Sequence, residues 1–362
     1  MIMTGLRGVG KTVLLNRFAE LAEIAGWESI ELEASKHDET AFRQSIFSKF
    51  RAALLHISPR RRWSERARHA AEVLSSFVLS IDQSGTFSVT WDVDPSEGYG
   101  DHGDLGLDLT DVFLAVGEVA KEKGTGIVLL IDEVQFLTTV QLESLIQAVH
   151  KSVQKKLPIT FVGAGLPQIA ELAGDAKSYA ERLFKFPRID SLTPEEARQA
   201  LVGPAETENV SYDEDAVDLA VSLTHGYPYF IQELGYQAWI VASGNHITAE
   251  DISTAKDAYE AKLDGSFFRV RLDRATPLQT AYMRAMAELG SEPQKAADVA
   301  SLMKRESSQV APIRSQLIDM GLLYTPQHGY AAFTVPDFDK FMMRAVPRLE
   351  VPEIQHRRRR GK

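Results

Sequence analysis

The residues best suited to chemistry stand at the start of the chain. Gly5-Leu6-Arg7-Gly8-Val9-Gly10-Lys11-Thr12 fits the pattern G-x-x-x-x-G-K-[ST] in full. Met1-Ile2-Met3 ahead of it can form a strand, and Val13-Leu14-Leu15-Asn16-Arg17-Phe18 behind it opens a helix. Gly5, Gly8 and Gly10 allow backbone N–H groups, with those of Val9 and Val13 among them, to turn inward around a di- or triphosphate. The helix start adds its positive dipole end, Lys11 reaches the β- and γ-phosphates, and the Thr12 hydroxyl suits Mg²⁺. A nucleotide such as ATP is the expected ligand.

A second group of residues answers the first. Gly126-Ile127-Val128-Leu129-Leu130-Ile131 is a continuous apolar run ending in Asp132-Glu133. A buried central strand of this kind delivers carboxylates to its C-terminal edge, where parallel sheets bind their ligands. Asp132 is expected in the Mg²⁺ shell, and Glu133 is expected to polarise the attacking water.

The elements that must position these residues alternate between strand and helix. Residues 11–26 carry Leu14, Leu15, Phe18, Leu21 and Ala22 on one helical face, and residues 28–34 alternate with period two. Residues 39–56 read as a helix, 105–122 as another, 140–153 as a third, and 158–163 as a fourth strand. This rhythm predicts a parallel sheet covered on both faces, an α/β P-loop NTPase domain over residues 1–190. Residues 57–103 interrupt it. Phe77–Ile81 and Thr86–Trp91 flank Asp82-Gln83-Ser84-Gly85, an expected hairpin over about 76–92. Arg60-Arg61-Arg62 reads as a solvated helix end, and the Gly- and Asp-rich stretch 95–107 as a solvated loop.

Beyond residue 190 the pattern is helical. Thr193 caps a helix with Pro194 at its first position, and helices continue to about residue 264, giving an all-helical lid at 191–265. Residues 265–275 read as a linker. Residues 276–345 hold helices at 278–289 and 296–303 and a third capped by Ser307-Ser308-Gln309, then two short strands around Pro326-Gln327-His328-Gly329. Three helices and a terminal hairpin predict a winged helix-turn-helix. The basic tail 346–362 ends in four consecutive arginines before Gly361-Lys362 and is expected to be disordered.

Composition limits the alternatives. The 362 residues are 44% hydrophobic and 25% charged, as in an ordinary globular protein. No apolar run reaches the length of a membrane span, and no signal-peptide pattern opens the chain. Cysteine is absent, which excludes disulfides and thiolate metal sites and fits a cytoplasmic location. The net charge of -10 argues against wholesale coating of nucleic acid, yet residues 276–362 hold 13 Lys+Arg against 9 Asp+Glu.

With these residues in place, the chain resembles AAA+-type ATPases of the origin-recognition-like group, prokaryotic relatives of the initiator ATPases. The resemblance spans the phosphate loop, Leu129-Leu130-Ile131-Asp132-Glu133, the lid and the winged helix. It implies that Arg182, just before a fifth strand at 184–189, reaches the γ-phosphate of a neighbouring subunit in a homo-oligomer. It also implies that Gly226-Tyr227-Pro228 sets Pro228 against the adenine. Two departures point to slow hydrolysis or a nucleotide-held switch. Gly163-Ala164-Gly165 stands where the family carries a polar residue, and Tyr227-Pro228 stands where its lid carries an arginine.

Two functions compete. In the first, nucleotide state controls how the winged helix engages double-stranded DNA, with Ser307, Gln309, Arg314 and Gln316 facing a groove and Lys304 and Arg305 on phosphates. In the second, the protein is a signalling or assembly switch whose winged helix docks another protein. The first strand is also short, with only four residues before Gly5. The natural protein is therefore expected to extend upstream.

Overall fold

The computed structural model describes residues 1–34, 39–79, 93–177 and 180–352. Two compact units divide the chain, one of residues 1–5 and 10–189, the other of residues 6–9 and those from Asp190 onward. In chain order the first unit holds β1 (Ile2–Thr4), α1 (Lys11–Ile24), β2 (Glu28–Glu33), α2 (Glu39–Ile57), α3 (Glu65–Leu79) and α4 (Leu105–Lys123). It continues with β3 (Ile127–Asp132), α5 (Thr139–Gln154), β4 (Ile159–Gly165), α6 (Ile169–Ala176) and α7 (Ala180–Leu183). These strands make a sheet in the order β1-β4-β3-β2, parallel throughout. Residues 185–189 run along the other edge of β1. The Ile2 and Thr4 N–H groups donate to the Lys185 and Pro187 carbonyls at 2.8 and 2.9 Å, and Thr4 and Arg188 form a parallel bridge.

β3 shows why an unbroken apolar run is needed at the centre. Val128 and Leu130 pack with Leu15 and Ala19 of α1 on one face. Ile127, Leu129 and Ile131 point the other way, into a core with Phe50, Phe113 and Leu145. Successive side chains of a strand alternate sides, so a strand covered on both faces must be apolar at every position.

The second unit holds α8 (Pro194–Thr207), β5 (Ser211–Tyr212), α9 (Glu214–Thr224), α10 (Pro228–Val241), β6 (His246–Ile247) and α11 (Ala249–Lys262). Thr193 caps α8 in a reciprocal box with Glu196, and its bonds hold the Glu196 carboxyl below the usual range. The segment expected to be a linker is instead helical. Leu263–Phe268 forms a π-helical turn that runs into α12 (Arg269–Leu272). The reason is aromatic packing: Phe267 stacks on Tyr229 with centroids 4.3 Å apart, and Phe268 stacks on Phe341 at 5.2 Å. Then come α13 (Pro277–Leu289), β7 (Gln294–Lys295), α14 (Ala296–Leu302), α15 (Ser307–Asp319), β8 (Leu323–Tyr324), β9 (Tyr330–Phe333) and α16 (Phe338–Ala345). β7, β9 and β8 pair antiparallel in that order. The cap of α15 is Glu306 rather than the Ser307-Ser308-Gln309 group, because Gln309 folds back onto the Glu306 N–H at 3.1 Å. Among the described residues, no helix is long and apolar enough to cross a membrane.

The interrupted stretch of the first unit also differs from expectation. Phe77–Leu79, assigned above to a hairpin strand, ends helix α3. Ala67, Ala70, Ala71, Val73, Leu74, Phe77 and Val78 are buried at helical spacing, which holds this segment in a helix. The remainder of the expected hairpin, residues 80–92, lies outside the described residues, as does the tail from 353. The acidic residues of 95–107 and the following turn are not simply solvated. Asp104 caps α4 through the Leu107 N–H at 2.9 Å, and Gly100 N–H donates to Asp111 at 3.0 Å.

Asp108 is fully buried against Arg43, whose Nη1 lies 2.9 Å away, and it also accepts from the His102 N–H at 2.8 Å. Arg43 reaches the Phe77 carbonyl and Glu39 as well, tying α2, α3 and α4 together. Removing one partner of a buried pair strands the other charge. Asp108→Ala should therefore lower stability by about 3–5 kcal/mol in urea denaturation. A loss of less than about 1 kcal/mol, the usual scale for exposed pairs, would contradict this assignment.

Candidate nucleotide site

The phosphate loop starts where β1 ends. The Gly5 N–H donates to the Gly165 carbonyl at 3.1 Å, extending the β1–β4 pairing by one bond. Gly8 and Gly10 have φ of 88° and 92°, a region that L side chains avoid. Gly10 caps α1, whose first turn carries no acidic residue, so the helix end is left positive for an anion. Lys11 is buried, and its Nζ donates to the Gly5 carbonyl at 3.0 Å, folding the ammonium back across the loop. Val9 is buried, whereas Thr12 and Val13 are exposed on the first turn of α1.

The second group meets the first here. The Thr12 hydroxyl donates to Asp132 Oδ2 at 2.5 Å, and Asp132 Oδ1 accepts the Glu133 N–H at 2.7 Å. Glu133 itself has φ 53°, uncommon for a residue with a side chain, and it starts a 3₁₀ turn at Val134–Phe136. The Gln135 amide donates to Glu133 Oε2 and accepts the Leu166 N–H at 3.0 Å. A hydroxyl beside a carboxylate is a hard oxygen set of the kind Mg²⁺ takes alongside phosphates and waters. The buried ammonium and inward glycine loop suit the phosphates themselves. The residues present therefore fit a magnesium nucleotide.

A cavity of about 210 Å³ opens beside this bond, lined in part by Thr12, Asn16, Glu33 and Asp132. A larger one, about 580 Å³, lies among Trp27, Glu28, His56 and Lys123. It sits where β2 and β3 begin, whereas ligands of parallel sheets bind where the strands end. The smaller cavity is the one at the chemistry.

Lys11, Thr12, Asp132 and Glu133 are thus brought to one sheet edge. The other expected site residues are carried by other elements. Arg182 is exposed on α7, just ahead of the edge segment 185–189. Pro228 occupies the first turn of α10, and Gly226 before it has φ 68°, with any Cβ falling 2.3 Å from the Leu192 carbonyl oxygen. Lys304 is exposed and Arg314 half-buried, whereas Arg305 donates to the Pro352 carbonyl and Gln309 serves the α15 cap. Gln135 was not anticipated. Its only signal is a lone amide between Val134 and Phe136, two positions after the carboxylate pair.

A parallel sheet with a glycine loop after its first strand and a hydroxyl–carboxylate pair at its edge defines an α/β P-loop nucleotide-binding domain. A family model described as AAA domain matches residues 1–171, and one described as Domain of unknown function (DUF8462) matches residues 265–342. No curated protein sequence matches the chain. The Walker-type ATPase PaBY2304 of Pyrococcus abyssi is similar in structure, with a TM-score of 0.57 at 15% identity over 94% of this chain and 90% of that one. Cdc6p from Pyrobaculum aerophilum gives 0.42 at 15% identity, over 96% of this chain and 88% of its own. The Aeropyrum pernix ORC1 protein, solved in complex with DNA, gives 0.41 at 14% identity, over 95% and 86%. At 15% identity the likeness to PaBY2304 concerns the fold alone. The AAA domain match takes in both the glycine loop and the Asp132–Glu133 pair.

Gly10 offers a clean test of the loop's backbone. An added Cβ would meet nothing within 4 Å, so only the φ of 92° opposes a side chain. Gly10→Ala should cost about 1–2 kcal/mol in denaturant unfolding, together with weaker ATP binding. Unchanged stability would mean that the loop does not hold this conformation in solution.

Proposed function

We propose that the protein is an ATP-dependent switch of the cytoplasm with slow hydrolysis, whose nucleotide state governs what its C-terminal module engages. The observation that carries this reading is the 2.5 Å bond between Thr12 and Asp132, which joins the two nucleotide motifs at one edge. Lys11 and the backbone N–H groups of Gly8 to Val13 hold the phosphates. Thr12 and Asp132 hold Mg²⁺, which neutralises charge on the phosphate oxygens when bound. Glu133 takes the water's proton as it attacks the γ-phosphorus. Arg182, exposed before the edge strand, is offered to the γ-phosphate of a second copy, and Pro228 to the adenine. Slow turnover is supported by Gly165, which leaves the end of β4 without a polar side chain of its own.

We read residues 276–345 as a winged helix, on the strength of α13, α14 and α15 followed by the β8–β9 hairpin. Double-stranded DNA is its proposed partner, met by Arg314 on a base edge and Lys304 on phosphate. One observation favours the alternative, a protein-docking switch without DNA. Arg305, Gln309 and Gln316, three of the six residues assigned to DNA, already serve internal bonds.

Lys11→Ala should abolish most ATP affinity in calorimetric titration, because the phosphates lose their charged anchor. Glu133→Gln should bind ATP normally and hydrolyse it about a hundredfold more slowly. Equal hydrolysis by Glu133→Gln and the unmodified protein would sink the assignment of the base. For the partner, fluorescence anisotropy with mixed duplex DNA should show affinity that falls steeply with salt, and Arg314→Ala should weaken it by about 1–3 kcal/mol. No duplex binding at low salt in any nucleotide state would hand the module to the protein-docking reading.

A further inference from the structure

Glu133 does not stand at the strand end unsupported. It sits at φ 53° on the turn after β3, where a side chain with several rotatable bonds needs something to aim it. Gln135 supplies a contact: its amide donates to Glu133 Oε2 and accepts from the Leu166 backbone at 3.0 Å. The second bond fixes the amide's orientation. A backbone N–H can only donate, so the oxygen of Gln135 must face Leu166 and its NH₂ must face Glu133. The carboxylate of Glu133 is thereby linked to the chain leaving β4, the strand beside β3.

Gly165 belongs to the same device. A Cβ there would stand 2.7 Å from Gln135 Oε1, so the glycine keeps open the space that the amide fills. The end of β4 thus contributes a backbone donor and an empty volume, and the polar group that occupies it comes from the turn after β3.

We infer that Gln135 is a positioning residue for ATP hydrolysis: it aims the Glu133 carboxylate, anchored through its own oxygen to the backbone at Leu166. This rests on the reading of Glu133 as the group that activates water. A carboxylate has about four acceptor positions, so a bond from Gln135 leaves capacity for water. Gln135 makes no contact with the phosphates in this account. Its loss should act on kcat and leave ATP binding alone.

The experiment compares steady-state ATP hydrolysis and calorimetric ATP affinity for the full chain and for Gln135→Ala, Gln135→Glu and Glu133→Gln. Gln135→Ala should lower kcat about tenfold with KM within about twofold, part of what general-base catalysis contributes. Gln135→Glu retains an oxygen acceptor for the Leu166 N–H but sets a second carboxylate against Glu133. It should therefore lower kcat as Gln135→Ala does, although the volume of the side chain and its bond to the Leu166 N–H are kept. A role in packing alone would leave Gln135→Glu close to the unmodified protein.

A kcat for Gln135→Ala within about twofold of the unmodified protein, or above it, overturns the inference, and so does such a kcat for Gln135→Glu. If Gln135→Ala does not fold, the near-isosteric Gln135→Glu decides through its kcat at unchanged ATP affinity. The two failures are separable. Hydrolysis undiminished in Glu133→Gln removes the base assignment beneath the inference, whereas slow Glu133→Gln with unimpaired Gln135→Ala removes only the role of Gln135.

Discussion

The hydrogen bond from the Thr12 hydroxyl to Asp132 joins residues 120 apart in sequence, and the architecture of the first unit serves to hold its two ends. Thr12 stands on the opening turn of α1, whose place is fixed by Leu15 and Ala19 packed against Val128, Leu130 and Val162. Asp132 stands at the last position of β3, whose height in the sheet is set by its pairing with both neighbours. Ile131 lies opposite Gly163 on one side and Leu32 on the other. A slip of one residue would turn Asp132 to the other face and bury a carboxylate without a partner. The pairing that builds the core is thus the same constraint that places the chemistry.

The two carboxylates are held differently. Asp132 is anchored at both oxygens, one taking the Thr12 hydroxyl and the other the Glu133 N–H. Glu133 is carried on a left-handed residue and contacts the Gln135 amide. The division suits their proposed roles, because a metal ligand needs a fixed position, whereas a base must be aimed and yet accept a proton. Away from the edge, the buried pair of Arg43 and Asp108 clamps α2, α3 and α4, the layer that covers one face of the sheet.

What was legible in the sequence was what local chemistry dictates. The glycine loop is a backbone requirement written in consecutive residues, and the apolar run 127–131 declares a strand buried on both faces. Thr193 with Pro194 announces a helix start for the same reason. What was not legible depends on partners far along the chain. Asp108 follows a Gly- and Asp-rich stretch that reads as a solvated loop, nothing local marks it as a buried charge, and only the fold brings Arg43 to it across 65 positions. Gln135 looks like an ordinary turn residue until β4 sets the Leu166 N–H beside it. Residues 265–275 read as a linker because Gly265, Arg269, Arg271 and Arg274 dilute their apolar content. Phe267 and Phe268 stack on Tyr229 and Phe341, which lie elsewhere in the second unit.

The central claim, that the glycine loop and the end of β3 form one magnesium–nucleotide site, is tested most directly by calorimetric ATP titration of the unmodified protein and of Asp132→Asn, each with Mg²⁺ and with a chelator. The account predicts that Mg²⁺ tightens ATP binding about tenfold or more in the unmodified protein, and that Asp132→Asn loses this increment while keeping its magnesium-free affinity. An equal increment in both proteins, or no ATP binding by the unmodified one, would contradict it.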